Sequence, residues 1–294
     1  MGILLGLTTA LFWGSADLLA RFATRKIGTL RAMLYMQLTG LLLLTAAMHW
    51  LGGWGHLADG SGWRPWTWGI CAGVLNTSAT LALYRSFEIG KMSIVAPISA
   101  SYPALTMLLS AMTGERLTPP RIAGVVLILV GVVVVARGEE IPGDANSLDE
   151  KSHPGKRSLG VGWALLSGVG FGVMFWLLGI RVVPLLGSVP AVWLIRLTSF
   201  LMTAAVILLL RQPMTLPEKG VNRWILGMGI LDTGAYVFNN YGMMREQVSV
   251  VSVLASLYGA VTVALAATIL GEKISRMQWI GLGAVFVGIF LISR

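Results

Sequence analysis

Residues 73–117 and 229–274 carry two copies of one pattern: GVLNTSATLALYRSFEIGKMSIVAPISASYPALTMLLSAMTGERL and GILDTGAYVFNNYGMMREQVSVVSVLASLYGAVTVALAATILGEKI. The match continues into residues 120–137 and 277–294, which read PRIAGVVLILVGVVVVAR and MQWIGLGAVFVGIFLISR. These stretches end the two halves of the chain. The sequence therefore predicts an internal duplication, in which the fold consists of one structural unit that occurs twice.

The composition places the chain in a membrane. Of its 294 residues, 55% are hydrophobic and 12% are charged, and the mean hydropathy is +0.76. Soluble domains carry about 25% charged residues, so this chain lacks the polar surface that water requires. The net charge of +9 does not point to nucleic acid, because the basic residues stand singly or in small groups between apolar stretches, where membrane proteins place topology signals.

Apolar windows of about 20 residues, each long enough to cross a bilayer, occur about ten times. They are predicted to be α-helices, because a lipid-embedded backbone must satisfy its own hydrogen bonds. The predicted spans are 2–22, 31–51, 66–87, 92–113, 119–137, 158–180, 190–210, 222–243, 248–270 and 275–293. The fold class predicted is an all-α integral membrane protein.

Residues 138–157 form a polar, charged, Gly/Pro-rich segment that is predicted to be a linker. It separates a first repeat, 1–137, from a second, 158–294, each with five spans. Because five is odd, the second repeat must cross the membrane in the opposite sense to the first. Inverted repeats of this kind place substrate sites at their shared interface near the membrane midplane, so the five-plus-five inverted repeat favours a transporter.

Span eight contains Asp232, Tyr236, Asn239 and Asn240 at a spacing that puts them on one helix face. A charge near the bilayer centre costs about 2.5–3.5 kcal/mol on insertion scales, and such residues usually mark functional sites. The alternative is a structural carboxylate bonded to a neighbouring helix. The amides equally suit bonds between helices.

The repeat alignment extends this polar set to other spans. In the alignment of the two repeats, Asp232 matches Asn76, Asn240 matches Tyr84, and Arg196 of span seven matches Gln37 of span two. Polar residues at equivalent positions are expected around a cavity between the repeats. Arg196 either holds an anionic group there or extends to the interface.

Asp17 and several aromatic residues complete the candidate site. Asp17 either faces the cavity beside Trp13 or pairs with Arg21, four residues along the helix. Carboxylates combined with aromatic faces suit ammonium groups. The candidate substrate-binding residues are Asp232, Tyr236, Asn239, Asn240, Asn76, Tyr84, Trp13, Asp17, Tyr102, Tyr258, Arg196 and Gln37.

No motif points to an enzyme or a cofactor. His49, His56 and His153 lack metal-ligand spacing, Cys71 is the one cysteine, and no P-loop pattern is present. The expected partners are a small-molecule substrate, the lipid bilayer and a coupling proton as a candidate ion. A monomer would suffice for such a site, and the oligomeric state stays open.

Some sequence features predict irregular helices and others predict close packing. Pro97 and Pro103 should break span four, and the glycines of SGVGFGVMF at 167–175 should loosen span six. Gly124 with Gly131, and equivalent glycines in span ten, recur two turns apart. Small residues at this spacing let helices approach closely, so spans five and ten are predicted to pack as scaffold.

The endings GERLTPPRIAGVVLILVGVVVVAR (114–137) and GEKISRMQWIGLGAVFVGIFLISR (271–294), with LFWGSADLLARF at 11–22, resemble the EamA family of the drug/metabolite transporter superfamily. The resemblance covers two tandem repeats. It implies ten helices in the cell membrane, with a central cavity lined by helices one to four and six to nine and with helices five and ten at the periphery. Family members mostly export amino acids, related metabolites or drugs, and no catalytic residue carries over.

The expected function is therefore secondary active export of a small polar or amphipathic metabolite of the amino acid or organic amine class. A passive facilitator, an importer and an exchanger are the alternatives. Orientation is open: about 13 Lys and Arg residues fall in odd-numbered loops and about 6 at the termini and in even-numbered loops, which favours both termini outside, whereas the family resemblance implies both inside.

Overall fold

The computed structural model describes residues 1–51, 53–54, 57–60, 62–114, 118–137, 155–213, 217, 219–246 and 248–292. Within those ranges the regular structure is helical and there are no strands. The predicted linker, His56 and His153 lie outside the described residues, except that the first turn of one helix occupies 155–157. The helices are α1 Gly2–Ile27, α2 Thr29–Leu51, α3 Arg64–Ile89, α4 Met92–Ser99, α5 Pro103–Met112, α6 Pro119–Arg137, α7 Gly155–Leu177, α8 Val183–Leu186, α9 Ser188–Leu209, α10 Lys219–Met243, α11 Val248–Ser256, α12 Tyr258–Ile269 and α13 Arg276–Ile292.

Many of these helices suit a lipid environment, and the protein is a multi-pass membrane protein. Helical stretches long and apolar enough to cross a membrane are Thr29–Trp50, Met92–Met112, Ser158–Leu186, Ser188–Leu209 and Val251–Ile269. The apolar helices of α6 and α13 are shorter. The long helices α1, α3 and α10 are more polar because they carry the acidic and amide residues that sequence analysis singled out.

Two spans are broken near their middles. In the fourth predicted span the break lies between Ser99 and Pro103, and Pro103 begins α5. Pro97 and Pro103 remove backbone donors there, so this predicted interruption is confirmed. The ninth span breaks at Leu257, between α11 and α12. No proline marks that second break, and it was not predicted.

The predicted loosening of the sixth span at SGVGFGVMF is wrong. α7 is continuous through it and turns into a π-helix only at Leu178–Val182. The glycines of this stretch are packing sites instead: a Cβ added at Gly170 would lie 2.9 Å from Ala79 Cβ, and one added at Gly172 would lie 2.8 Å from Leu105 Cβ. They let α7 approach α3 and α5 closely.

Packing between the halves follows the repeat. α1 packs on α10 as α3 packs on α7, and α2 packs on α10 as α9 packs on α3. The glycine contacts correspond in the same way. A Cβ at Gly73 would lie 2.5 Å from Thr198 Cβ, and a Cβ at its repeat equivalent Gly229 would lie 2.7 Å from Thr39 Cβ.

α6 and α13 pair with each other at the edge of the bundle. A Cβ at Gly131 would lie 2.7 Å from the carbonyl oxygen of Gly281, and a Cβ at Gly288 would lie 2.7 Å from that of Gly124. The backbones are thus in direct contact, as the glycine spacing predicted. The outward side chains are large and apolar, Val126 and Ile280 among them, as a lipid-facing surface requires.

Candidate functional site

A cavity lies between the two halves, surrounded by α1, α3, α7, α10 and the two broken spans. Its free volume is about 30 Å³, which is room for about two water molecules. Its walls are Trp13, Asp17, Thr80, Leu83, Tyr84, Tyr102, Phe171, Phe175, Asp232, Tyr236 and Tyr258. Sites for small molecules have volumes of about 300 Å³ or more, so side chains must move to admit a small metabolite.

Aromatic rings form most of the wall. Trp13 is at the centre of the group, with its ring centroid 5.1 Å from that of Tyr236, 5.5 Å from that of Phe175 and 6.0 Å from that of Tyr258. All three pairs are edge-to-face, which is a favoured arrangement of aromatic rings. Tyr102 stacks on Phe175 at 4.7 Å. The result is a continuous ring surface contributed by both repeats.

The tyrosine hydroxyls mostly point away from this surface. Tyr84 donates to Met36 Sδ at 2.8 Å, and Tyr102 donates to the carbonyl oxygen of Ser252 at 3.0 Å. Tyr236 donates to Asn76 Oδ1 at 2.5 Å. Ring faces and edges, rather than hydroxyl groups, are therefore what these residues offer to a molecule in the cavity.

Asp17 contributes a carboxylate from α1, one helical turn after Trp13. Its side chain is buried, and Oδ2 accepts a hydrogen bond from Thr262 of α12 at 3.1 Å. A carboxylate without a cationic partner is costly inside a membrane protein unless a proton or another cation neutralises it. Asp17 is therefore well suited to receive one.

Asp232 has a different environment, because a cation holds it. Its Oδ2 lies 2.5 Å from Arg196 Nη2, and Arg196 Nη1 donates to Gln37 Oε1 at 2.7 Å. The Arg196 guanidinium also lies 5.1 Å from the ring centroid of Tyr236. Arg196 and Gln37 are fully buried behind the wall, whereas the Asp232 side chain stays 14% exposed.

The remaining candidate amides lie outside the cavity. Asn76 supports the wall: it accepts from Tyr236 and donates to Ser199 Oγ at 3.2 Å. Asn239 and Asn240 are buried farther along α10. Asn240 donates weakly to the carbonyl oxygen of Ser188 at 3.4 Å, and Asn239 lies 3.6 Å from Met243 Sδ. Asn239 and Asn240 therefore make packing contacts between helices and do not line the cavity wall.

Sequence reasoning missed four wall residues: Thr80, Leu83, Phe171 and Phe175. Thr80 was visible only as the repeat equivalent of Tyr236. The segments LFWGSADLLA of α1 and VGFGVMFWLL of α7 can be aligned. In that alignment Phe171 is the repeat equivalent of Trp13, and Phe175 is the repeat equivalent of Asp17. Extending the repeat alignment to the first and sixth spans would have found them.

A second buried charged group lies one turn beyond Asp17. Glu272, between α12 and α13, accepts from the backbone N–H groups of Met92 at 3.1 Å and Ser93 at 2.8 Å, at the start of α4. Arg21 donates to the carbonyl oxygen of Gly90 at 2.8 Å and lies 3.8 Å from Glu272. This group, the Arg21–Glu272 cluster, joins three helix ends on one side of the cavity.

The sequence profile of the EamA-like transporter family matches residues 1–137 and again residues 158–294. The chain belongs to the EamA-like transporter family. An uncharacterised protein of Methanocaldococcus jannaschii is 30% identical over 135 residues, which are 46% of this chain and 95% of that protein. The archaeal protein is therefore similar in length to one repeat of this EamA-like chain.

A crystal structure of a protein 19% identical to this chain superposes with a TM-score of 0.72 and covers 99% of this chain and 96% of the other. At this identity the likeness establishes the fold alone. The EamA-like chain thus shares an entire architecture with a solved structure. Its cavity residues have to be interpreted from its own chemistry.

Proposed function

We propose that this EamA-like protein is a secondary active transporter of the cell membrane, with ten spans arranged as a five-plus-five inverted repeat. Its cargo is a small amphipathic metabolite that carries an amino group, of the amino acid or organic amine class. The direction proposed is export. The reciprocal packing of α1 on α10 and of α3 on α7 supports the inverted repeat.

One observation carries the proposal: a carboxylate, Asp17, lies in an aromatic cavity at the boundary of the two repeats with a hydroxyl as its hydrogen-bond partner. An ammonium group placed there would gain an ion pair with Asp17. It would also gain cation–π contacts with Trp13 and Tyr258. Asp17, rather than the other candidate carboxylate Asp232, is proposed to bind the ammonium group, because Arg196 already pairs with Asp232.

Transport would follow from alternating exposure of this cavity. The breaks at 100–102 and at Leu257 divide the fourth and ninth spans beside the cavity, where rocking of one repeat against the other would need them to bend. A proton on Asp17 would neutralise the empty cavity, and the ammonium group would replace it. Exchange of proton for cargo would then couple export to the proton gradient.

Counterflow tests the proposal. Proteoliposomes containing the protein are loaded with unlabelled 2-phenylethylamine or L-phenylalanine and diluted into trace labelled compound. A transporter accumulates label transiently above equilibrium, and Asp17→Asn should abolish the accumulation. Glu246→Gln, which removes an exposed carboxylate outside the cavity, is the matched control and should leave it intact. Equilibration without overshoot would indicate a channel-type facilitator and contradict the proposal.

A further inference from the structure

We infer that the cavity discriminates against carboxylates and selects organic monocations, such as a free amine, over the zwitterionic amino acid from which that amine is formed by loss of CO₂. This inference rests on the proposed function and narrows its substrate class. It follows from the separate environments of the two cavity carboxylates, Asp17 and Asp232.

When Asp17 is ionised, the charges at the cavity sum to −1. Asp17 and Asp232 are both in the wall, and Arg196 behind it balances one of them. Among the wall residues that the structure describes, none is Lys, Arg or His. A monocation would therefore neutralise the cavity, whereas a zwitterion would leave its net charge unchanged.

A substrate carboxylate would need donors that the cavity does not offer freely. The hydroxyls of Tyr84, Tyr102 and Tyr236 are already donated to other groups. The indole N–H of Trp13 and the hydroxyls of Thr80 and Tyr258, the last of which has no hydrogen-bond partner, are neutral donors that supply no counter-charge to an anion leaving water. A carboxylate entering the cavity would therefore be desolvated without a cation to pair with.

Arg196 is a cation directly behind the wall, where it contacts Asp232 and Tyr236, and Asp232 acts as its internal anion. The guanidinium side chain is 1% exposed, covered by the ring of Tyr236 and bonded to Asp232 and Gln37. To pair with Nη2 of Arg196, a substrate carboxylate would have to displace Asp232. Asp232 thus determines specificity by occupying the position that the carboxylate of an amino acid would otherwise take.

Matched probes separate the two classes. Ligand-dependent thermal stability of the purified protein in detergent is measured with 2-phenylethylamine, L-phenylalanine, L-phenylalanine methyl ester and 3-phenylpropionate. The pairs tyramine with L-tyrosine and agmatine with L-arginine vary the side group. We expect the amines and the methyl ester to bind on the order of 10- to 100-fold more tightly than the amino acids, because an unpaired buried carboxylate is costly. 3-Phenylpropionate should not bind.

Asp232→Asn tests the cause. The amide keeps the shape of the side chain but releases the charge of Arg196, so the preference for amine over amino acid should fall by about tenfold or more. Asp17→Asn should weaken the amines, and Glu246→Gln should change nothing.

The outcomes distinguish the two levels of the proposal. If the amino acids bind as tightly as their amines, the selectivity is wrong while the proposed function stands. If Asp232→Asn leaves the wild-type preference unchanged, Asp232 does not determine it. If no amine or amino acid stabilises the protein, or if 3-phenylpropionate alone does, both the selectivity and the proposed amino-group transport are overturned.

Discussion

Removing Arg196 is the substitution that most directly tests the buried polar group behind the cavity. Arg196→Met keeps a long side chain but ends the ion pair with Asp232, the hydrogen bond to Gln37 and the ring contact with Tyr236. Breaking one partner out of a buried ion pair costs about 3–5 kcal/mol. The lower end applies here because Asp232 retains 14% exposure to the cavity.

The unpaired Gln37 oxygen adds about 1 kcal/mol, so we expect Arg196→Met to lower the free energy of unfolding by about 4 kcal/mol. Replacing Asp232 as well, in Arg196→Met with Asp232→Asn, removes the stranded charge and should recover about 2 kcal/mol or more, within the usual range of coupling energies. Equilibrium unfolding in mixed micelles, followed by circular dichroism, measures all four corners of this double-mutant cycle.

Arg245→Met is the matched control, because Arg245 is exposed and its loss should change stability by no more than about 0.5 kcal/mol. The reasoning would be refuted if Arg196→Met cost less than about 1 kcal/mol. It would also be refuted if the effects of the two substitutions simply added. Either result would mean that Arg196 does not stabilise the charge of Asp232. Asp232 would then be as available to a substrate cation as Asp17, and there would be no reason to assign the cation to Asp17.

Three further predictions can be checked by the same unfolding measurement. Glu272→Gln should destabilise by about 3 kcal/mol, because it leaves Arg21 and the start of α4 without a buried anion; no loss would mean that the cluster is not a structural tie. Gly281→Ala should lower the free energy of unfolding by about 1–3 kcal/mol, because the added Cβ would meet the backbone of α6. Gly283 faces open space, so the control Gly283→Ala should be neutral or stabilising. Equal effects of the two substitutions would contradict the close contact between α6 and α13. Tyr236→Phe should cost about 1 kcal/mol through the hydrogen bond to Asn76, and an unchanged stability would show that the bond contributes nothing.

The helical architecture could be predicted because the signals that specify it are local. Apolar length identifies a span, and the repeated glycines of α6 and α13 identify a close contact without knowledge of the partner. The break at Leu257 was not found this way, since no proline occurs there, and Gly259, the repeat equivalent of Pro103, is one of many glycines in these helices. Its equivalent in span four could be found because Pro103 marks it.

The cavity was only partly predictable, for a related reason. Asp17 and Asp232 stand out because a charge inside a span contrasts with its neighbours, whereas Phe175 in an apolar helix does not. Asn240 shares a helix face with Asp232, yet its side chain packs against a neighbouring helix outside the cavity. Helical periodicity predicts which face of a helix lines a cavity, but it does not predict how far along the helix the cavity extends. Glu272 was overlooked because its position at a span end suggested exposure.

Arg196 and Gln37 are repeat equivalents, and they are also bonded to each other. In the inverted repeat proposed above, two equivalent residues can touch only where the pseudo-two-fold axis passes between them, so that arrangement would place this bond on the axis, with the polar group around it at the centre of the duplication. An exact two-fold arrangement would have to place two arginines or two glutamines there. The two halves differ at these positions: Gln37 is equivalent to Arg196, and Asn76 is equivalent to Asp232. Each pair of equivalent positions therefore has one neutral and one charged residue. This difference produces a single internal ion pair and leaves Asp17, whose equivalent is Phe175, as the unbalanced charge of the cavity. The difference between the repeats at Asp17 and Phe175 is thus what leaves one carboxylate of the cavity without a cationic partner, and it is why the cargo we propose is a cation.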